Sequence, residues 1–511
     1  MARSIGWAQR ALLGGLFGLA GGCGHGTVPR DGATGDATAD TVCLSGLADE
    51  PDPANTDTNC DGIDGDRTNA IFVAPDGDDA NPGTADSPVR TLRTALVRAM
   101  AGSHTQVLVA GGSYTETSTL RLADGVGIYG GYDRASGWRR GDVHAVVSGA
   151  SLALEAVGLT HATTIARIEF DAADGTAPGG ASIALRAVDS PMLVVADHAT
   201  ISAGRGGAGA NGTAGTAGGD GSAGGRGGDG AGDNQMLPGA GGPPGTNRAC
   251  MGANGGAGGS GGQNPDFHGE NGMSSASGNM GGHGGAMPGC TGVAGVSGTA
   301  GASDGAPGMA GHGGGMIGLF DSATMAYMPA GGSDGQDGQL GTGGGGGGGS
   351  SGQTGALCVD GSGNGGGGGG AGGCGGTGGH AGGGGGASVA ILALRSGFTL
   401  RDSTVVTLGG GAGGSGGVGG AGGGFGVGGS GGTLVPAEIG LAGNGADGKR
   451  GGEGGAGGGG GGGPSIGIWA DTMVVQTMNV VFQLGDPGRG GSSPGGTPSE
   501  GARGQQAQTG P

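Results

Sequence analysis

Short apolar runs separated by turn residues carry the hydrophobic pattern of this chain, and the same run recurs. Ala181-Ser182-Ile183-Ala184-Leu185 leads on to Thr200-Ile201-Ser202-Ala203-Gly204. Ala387-Ser388-Val389-Ala390-Ile391 leads on to Val405-Val406-Thr407-Leu408-Gly409, and Pro464-Ser465-Ile466-Gly467-Ile468 to Val481-Phe482-Gln483-Leu484-Gly485. From the Ser to the closing Gly the copies span 22, 21 and 20 residues, a repeat length that signals a stacked solenoid. A degenerate earlier copy opens at Ser151-Leu152-Ala153-Leu154 and closes near Ile168-Glu169-Phe170. One stretch reads differently: Leu92, Ala95, Leu96 and Ala99 form a single apolar stripe, with Ser87 as N-cap and Pro88 at the first helical position. This predicts one helix that plugs the open end of the solenoid and covers its first strand edge.

The repeat places the glycine. Blocks 204–386, 409–463 and 485–511 each begin at the same point of a rung, so they leave one corner of the solenoid side by side. Gly206, Gly209, Gly212, Gly215, Gly218, Gly221, Gly224, Gly227 and Gly230 keep a strict three-residue period in a chain with 150 Gly in 511 residues. That period suits the extended threefold polyproline II helix, in which every third residue shares an edge. Collagen is not implied, since no Pro lies between Gly206 and Gly230. Order is a contest between two terms: fixing each backbone costs about 1–2 kcal/mol, whereas neighbouring threefold helices can satisfy one another's donors and acceptors.

With 34% hydrophobic and 3% aromatic residues, a smaller folded unit must carry a large low-complexity load. The net charge is −19, and Lys449 is the sole Lys, which argues against a nucleic-acid partner. Arg3, Arg10 and the apolar stretch Ala11–Ala20 read as an export signal. Leu19-Ala20-Gly21-Gly22-Cys23 resembles the lipobox of bacterial lipoproteins, which implies lipidation of Cys23 and a membrane contact made through that lipid. The remaining cysteines, Cys43, Cys60, Cys250, Cys290, Cys358 and Cys374, are even in number and fall into three local pairs, the disulfide pattern of an exported chain.

Asp57, Asn59, Asp61, Asp64 and Asp66 alternate oxygen side chains around turn glycines, a spacing that wraps a loop around Ca2+. The segment resembles the Asp-rich loops of thrombospondin type 3 repeats and EF-hands, although Thr68 stands where an EF-hand carries its bidentate Glu and no flanking helices are expected. From Ile71-Phe72-Val73 through Asn81-Pro82-Gly83, Ser87-Pro88 and Gly112-Ser113-Tyr114, the chain resembles exported right-handed parallel β-helix proteins of the pectate-lyase-like class. The glycine-rich part resembles PGRS-type surface proteins in composition. The expected fold is therefore all-β: a right-handed parallel β-helix, a single-stranded solenoid of six or seven rungs, with an N-terminal capping helix and large glycine-rich, polyglycine II-type loops. The expected organisation is a signal peptide (1–22), a tether (23–48), the acidic segment (49–68), N-terminal rungs (69–203), insertion (204–386), rung (387–408), insertion (409–463), rung (464–484) and a glycine-rich tail (485–511).

The resemblance raises polysaccharide chemistry. Lyases of the class use an Arg or Lys beside Asp-bound calcium, and hydrolases use paired Asp on successive rungs; the rungs here carry isolated charges such as Arg186, Asp189, Arg395, Arg401, Asp402 and Asp471. Tyr129, Tyr132 and Trp138, clustered with Arg134, Arg139 and Arg140, are candidates for stacking on sugar rings, against the competing role of packing the first rungs. Arg140-Gly141-Asp142 spells a cell-adhesion tripeptide too short to decide anything. The expectation is an exported cell-membrane or outer-membrane lipoprotein, non-catalytic, structural or adhesive, that meets surface glycans or other cells. Carbohydrate binding or cleavage is the alternative, and ice or surface-water binding by the periodic glycine layer a weaker one.

Overall fold

The computed structural model describes residues 47–510 apart from 233–236, 287–289, 322, 354–360, 435–438 and 472–474. These residues belong to one compact unit, Leu44–Pro511. Cys23, Cys43 and Cys358 lie outside the described residues.

Three parallel sheets form the frame. Sheet I holds Ala70–Val73, Gln106–Ala110, Gly127–Asp133, Thr163–Ala166, Leu193–Ala196, Phe398–Arg401 and Gln476–Met478, with Arg139–Arg140 paired antiparallel on its flank. Sheet II holds Gly112–Thr115, Ala145–Ser148, Glu169–Asp171, Thr200–Ala203, Thr404–Thr407 and Val481–Leu484. Sheet III holds Leu120–Arg121, Leu152–Val157, Ser182–Val188, Ser388–Leu394, Ser465–Ala470 and Gln506–Gly510. The chain visits the sheets in turn, so each circuit adds one rung, the arrangement of a parallel β-helix. The repeat sets the register: Ser182 pairs with Ser388 and Ser388 with Ser465, while Ile183 pairs with Leu152 of the degenerate copy. One difference appears at the end of the chain, where Gln506–Gly510 leaves the glycine-rich tail and pairs with Ser465–Trp469 as a last strand of sheet III.

Alternation puts every second side chain inside, where like stacks on like. Val107, Ile128, Ile165, Val195 and Leu400 line sheet I, and Tyr114, Val147, Phe170, Ile201 and Val405 line sheet II. All ten are buried. Corners repeat as well. Arg167, Asp197, Asp402 and Asn479 adopt φ between 45° and 55°, and the N–H of Arg167 donates to the C=O of Asp197, one rung on, at 3.0 Å. Asp and Asn tolerate this left-handed turn better than most residues.

The helix spans Leu92–Gly102 and buries Leu92, Ala95, Leu96 and Ala99 as the stripe requires. Its N-cap is Thr91 rather than Ser87. The cause is local: Asp79 accepts from the N–H of Arg90 and Thr91 and from the Thr91 hydroxyl, which fixes the start there, and Val89 bridges to Val73 in extended form.

The glycine-rich segments are ordered as threefold helices packed side by side. From Gly206 to Gly227, every third N–H donates to a C=O 203 positions on, Gly409 to Ser430, at 2.8–2.9 Å. Segment 362–386 runs through the middle and has six neighbours, bonded at 2.8–2.9 Å through Cys374 N–H to Gly219, Gly242 to Gly366, Gly366 to Gly259, Gly338 to Gly376, Gly420 to Thr377 and Gly376 to Gly452. The glycine runs 343–349 and 457–463 are likewise enclosed, and all of 343–349 and 457–463 is buried. A threefold helix surrounded on all sides has no free edge for a side chain, so unbroken glycine marks the interior and Gly-x-y the boundary. The close approach is quantitative: a Cβ on Gly209, Gly212, Gly215 or Gly218 would sit 2.0–2.1 Å from a carbonyl oxygen of segment 374–383. At the boundary, carboxamides and carboxylates stand in for missing neighbours. Asn211, Asp220 and Asp229 accept from the N–H of Ser415, Gly424 and Thr433, and Asp334 and Asp337 from Ala381 and Gly378. Part of the acidity of the chain thus serves the layer's own backbone.

The insertion also returns to the solenoid. The antiparallel pair Leu319–Phe320 and Tyr327–Met328 lies over sheet III, with the Phe320 ring edge-on to Trp469 at 4.9 Å.

Local pairing is corrected for Cys250 and Cys374, which are bonded to each other, 124 positions apart. Lattice neighbours rather than sequence neighbours meet in such a layer, and Cys374 stands on the row Ala371, Cys374, Thr377, where segment 362–386 can carry side chains. Cys60 and Cys290 are also disulfide-bonded.

A candidate site in a groove beside sheet II

The strand Glu169-Phe170-Asp171 turns its aromatic ring inward and both carboxylates outward. Glu169 lies beside Val146 of the preceding rung and Thr200 of the next, and Asp171 beside Ser148 and Ser202. Corner residues Asp142, His144, Arg167 and His198 complete a groove of about 360 Å3 around Glu169 and Thr200. Burial pushes the Glu169 carboxyl up, Asp171 adds to this through its charge and a hydrogen bond, and His144 opposes it. The two carboxylates thus face the same side of one strand, two residues apart. Sequence reading passed over them because it searched for pairs on successive rungs; the signal was the alternation Glu-x-Asp across one strand.

Arg167 is held for structure. Its Nε lies 2.7 Å from Asp197 Oδ2, Nη1 donates to Asn55 Oδ1 at 2.8 Å and Nη2 to the C=O of Pro53 at 3.0 Å. Arg140, with no exposed side-chain surface, meets Asp64 at 3.0 Å and Asp197 at 3.6 Å. Neither approach to Asp197 Oδ2 is aligned as a hydrogen bond, which leaves that oxygen and Arg140 Nη2 bound by charge alone. Because Arg140 is buried, the Arg140-Gly141-Asp142 tripeptide is not displayed.

The sugar-stacking expectation for Tyr129, Tyr132 and Trp138 is overturned by burial: they are 5%, 0% and 3% exposed. Their polar tips are committed inside, with Trp138 Nε1 donating to the C=O of Ala85 at 3.0 Å, Tyr132 to that of Asp64 at 2.6 Å and Tyr129 to Glu50 at 3.0 Å. Tyr129 and Tyr132 bind the acidic segment to the first rungs, and Trp138 packs edge-on against Phe72.

The acidic segment separates its five candidate ligands. Asp57, Asn59 and Asp61 stay together, but their oxygens accept from backbone N–H groups, Asp57 from Asp61 and Gly62, and Asp61 from Ile63 and Arg67. Asp64 is drawn to Arg140 and the N–H of Asp52, and Asp66 to Thr68 and Asn69. Among the described residues no group of three or more His, Cys, Asp or Glu is placed to hold a metal ion. The isolated rung charges stack instead: Arg395 pairs with Asp189 at 2.8 Å while its N–H donates to Asp471 at 2.9 Å, and Arg186 meets Glu155.

The first rungs match a known family. A family model described as a protein of unknown function (DUF1565) covers residues 75–176, from the turn before the capping helix to just past Glu169 and Asp171. Pectate lyase PEL9 of Emericella nidulans is 40% identical over 52 residues, 10% of this chain and 12% of that protein. The shared segment is thus a small part of either chain. No solved structure matches. The family match falls on the N-terminal parallel sheets. Among the described residues no helix is long and apolar enough to cross a membrane.

Proposed function

We propose that this protein is a non-catalytic structural or adhesive lipoprotein of the cell surface, lipidated at Cys23, in which a right-handed β-helix carries a rigid glycine layer. The right-handed sense follows the strong preference of parallel crossover connections. The observation that carries the reading is the hydrogen-bonded register of the glycine segments, Gly206 to Gly227 against Gly409 to Ser430. Such a layer offers a broad, regular face of small side chains, among them exposed Ala208, Asn211, Ala214 and Ala217, suited to lying flat on an extended, repetitive partner such as a surface glycan. Export and anchoring rest on the sequence through Cys23. The experiment is fractionation of cells carrying Cys23→Ser: the protein should leave the membrane or remain unprocessed, and unchanged membrane retention would refute the anchor.

A second reading, a β-helix that binds or cleaves carbohydrate, is favoured by the Glu169 and Asp171 pair in its groove. A glycan array and a depolymerisation screen, each run on the mature chain and on Glu169→Gln, separate the two. Cleavage lost in the variant would favour the second reading; glycan capture unaffected by Glu169→Gln and without cleavage would favour the first.

A further inference from the structure

One face of the glycine layer is only half covered. Along the outer side of segment 410–432, N–H groups at a three-residue spacing form a row. Gly410, Gly413 and Gly416 donate to the C=O of Asp486, Arg489 and Ser492 in the tail, at 2.8–3.1 Å. Further along the same row Gly428 and Gly431 donate to side-chain oxygens of Asp447 and Asn444. Between them, the N–H groups of Gly419, Gly422 and Phe425 have no hydrogen-bond partner among the described residues. The adjacent row repeats the pattern. Gly459 and Gly462 donate to Ser499 and Ala502 of the returning tail, whereas the N–H groups of Ala456 and Glu453 have no partner among the described residues.

The tail hairpin therefore fills two lanes and stops short, its turn closed by the Ser493 hydroxyl on the C=O of Gly457 at 2.6 Å. What it shows in the filled part defines the occupant of the open part: carbonyls every third residue on a threefold glycine-rich segment, close enough that a Cβ on Gly488 or Gly491 would lie 1.8–1.9 Å from the oxygens of Gly411 and Gly414. The open stretch is flanked by exposed apolar side chains, Val418 at 53%, Phe425 at 39% and Val427 at 56%. A face with one half raised and one half recessed is complementary to itself under a two-fold rotation, and such an isologous contact closes at a dimer.

We propose that this half-covered face is a self-association surface. A second copy of the chain docks antiparallel, each tail hairpin abutting the open lanes of the other, with the N–H groups of Gly419, Gly422 and Phe425 donating to backbone carbonyls of the partner copy. The test is sedimentation velocity of the mature chain over a concentration series, with residue-resolved hydrogen exchange at those three amides. A dimer is expected, with exchange at the three amides slowing at least tenfold as the dimer forms. The variant Val418→Asp, Phe425→Asp, Val427→Asp should be monomeric and lose that protection, while Gly215 keeps its own, which reports an intact layer. Met100→Asp, an exposed change on the capping helix, should leave the dimer unaltered. A chain that stays monomeric with the three amides in free exchange, or a dimer that the triple variant leaves intact, overturns the proposal.

Discussion

Gly215→Ala is the smallest change that tests the packed layer. The added methyl carbon would stand 2.1 Å from the C=O oxygen of Thr377, 2.7 Å from that of Gly378 and 2.8 Å from the N of Gly420. Ordinary contact begins near 3.4 Å, so the neighbouring segments must retreat by more than an ångström. Three bonds sit at that crossing: Gly215 N–H to Val418, Thr377 N–H to Thr216 and Gly420 N–H to Thr377, each 2.9 Å. At about 1 kcal/mol for each bond weakened, with about 1–3 kcal/mol for overpacking, the loss comes to roughly 4–6 kcal/mol. Ala217→Ser, on the exposed edge of the same helix, should stay within about 0.5 kcal/mol. Denaturant unfolding followed by the polyproline II circular dichroism band reads both. If Gly215→Ala matches the wild type as closely as Ala217→Ser does, the segments are not packed as described.

Phe170→Ala empties a fully enclosed site between Val147 and Ile201 of adjacent rungs, and should cost about 3–5 kcal/mol in global unfolding. Acid should loosen the layer. Asp229 is held below the usual carboxylate range by the N–H of Thr433 and then by Arg226, and Asp334 by the N–H of Ala381 and then by His380. Depressed carboxyls contribute stability above their unfolded pKa and lose it as pH falls through the folded one. Amide protection in the layer should accordingly decline from about pH 4 downward, and Asp229→Asn with Asp334→Asn should weaken that dependence. Melting with and without calcium tests the acidic segment: a rise that Asp61→Ala abolishes supports a site at Asp57, Asn59 and Asp61, and no rise in the wild type refutes it.

The solenoid was legible because its repeat survives insertion. The Ser182, Ser388 and Ser465 alignment is the observed register, and like residues recur since each rung packs on the last. The three-residue glycine period foretold threefold helices, whereas their order depended on how many neighbours each helix has, which no single segment encodes. In retrospect the unbroken runs at 343–349 and 457–463 carry that signal, because only an enclosed helix needs glycine at every position. Cysteine pairing stayed hidden for the same reason, since Cys250 meets Cys374 across the lattice. The aromatic cluster misled because Tyr129, Tyr132 and Trp138 are polar-tipped and sit beside arginines, features equally suited to a buried joint. Glu169 and Asp171 were invisible to a search across rungs because they share one strand.

Residue-resolved hydrogen exchange across 206–230 tests the central claim most directly. The layer predicts a period of three: slow exchange at Gly209, Gly212, Gly215, Gly218, Gly221 and Gly224, which donate to segment 412–427, and fast exchange at exposed Ala208, Ala214 and Ala217, whose N–H groups have no partner among the described residues. Uniformly fast exchange throughout the segment would contradict it.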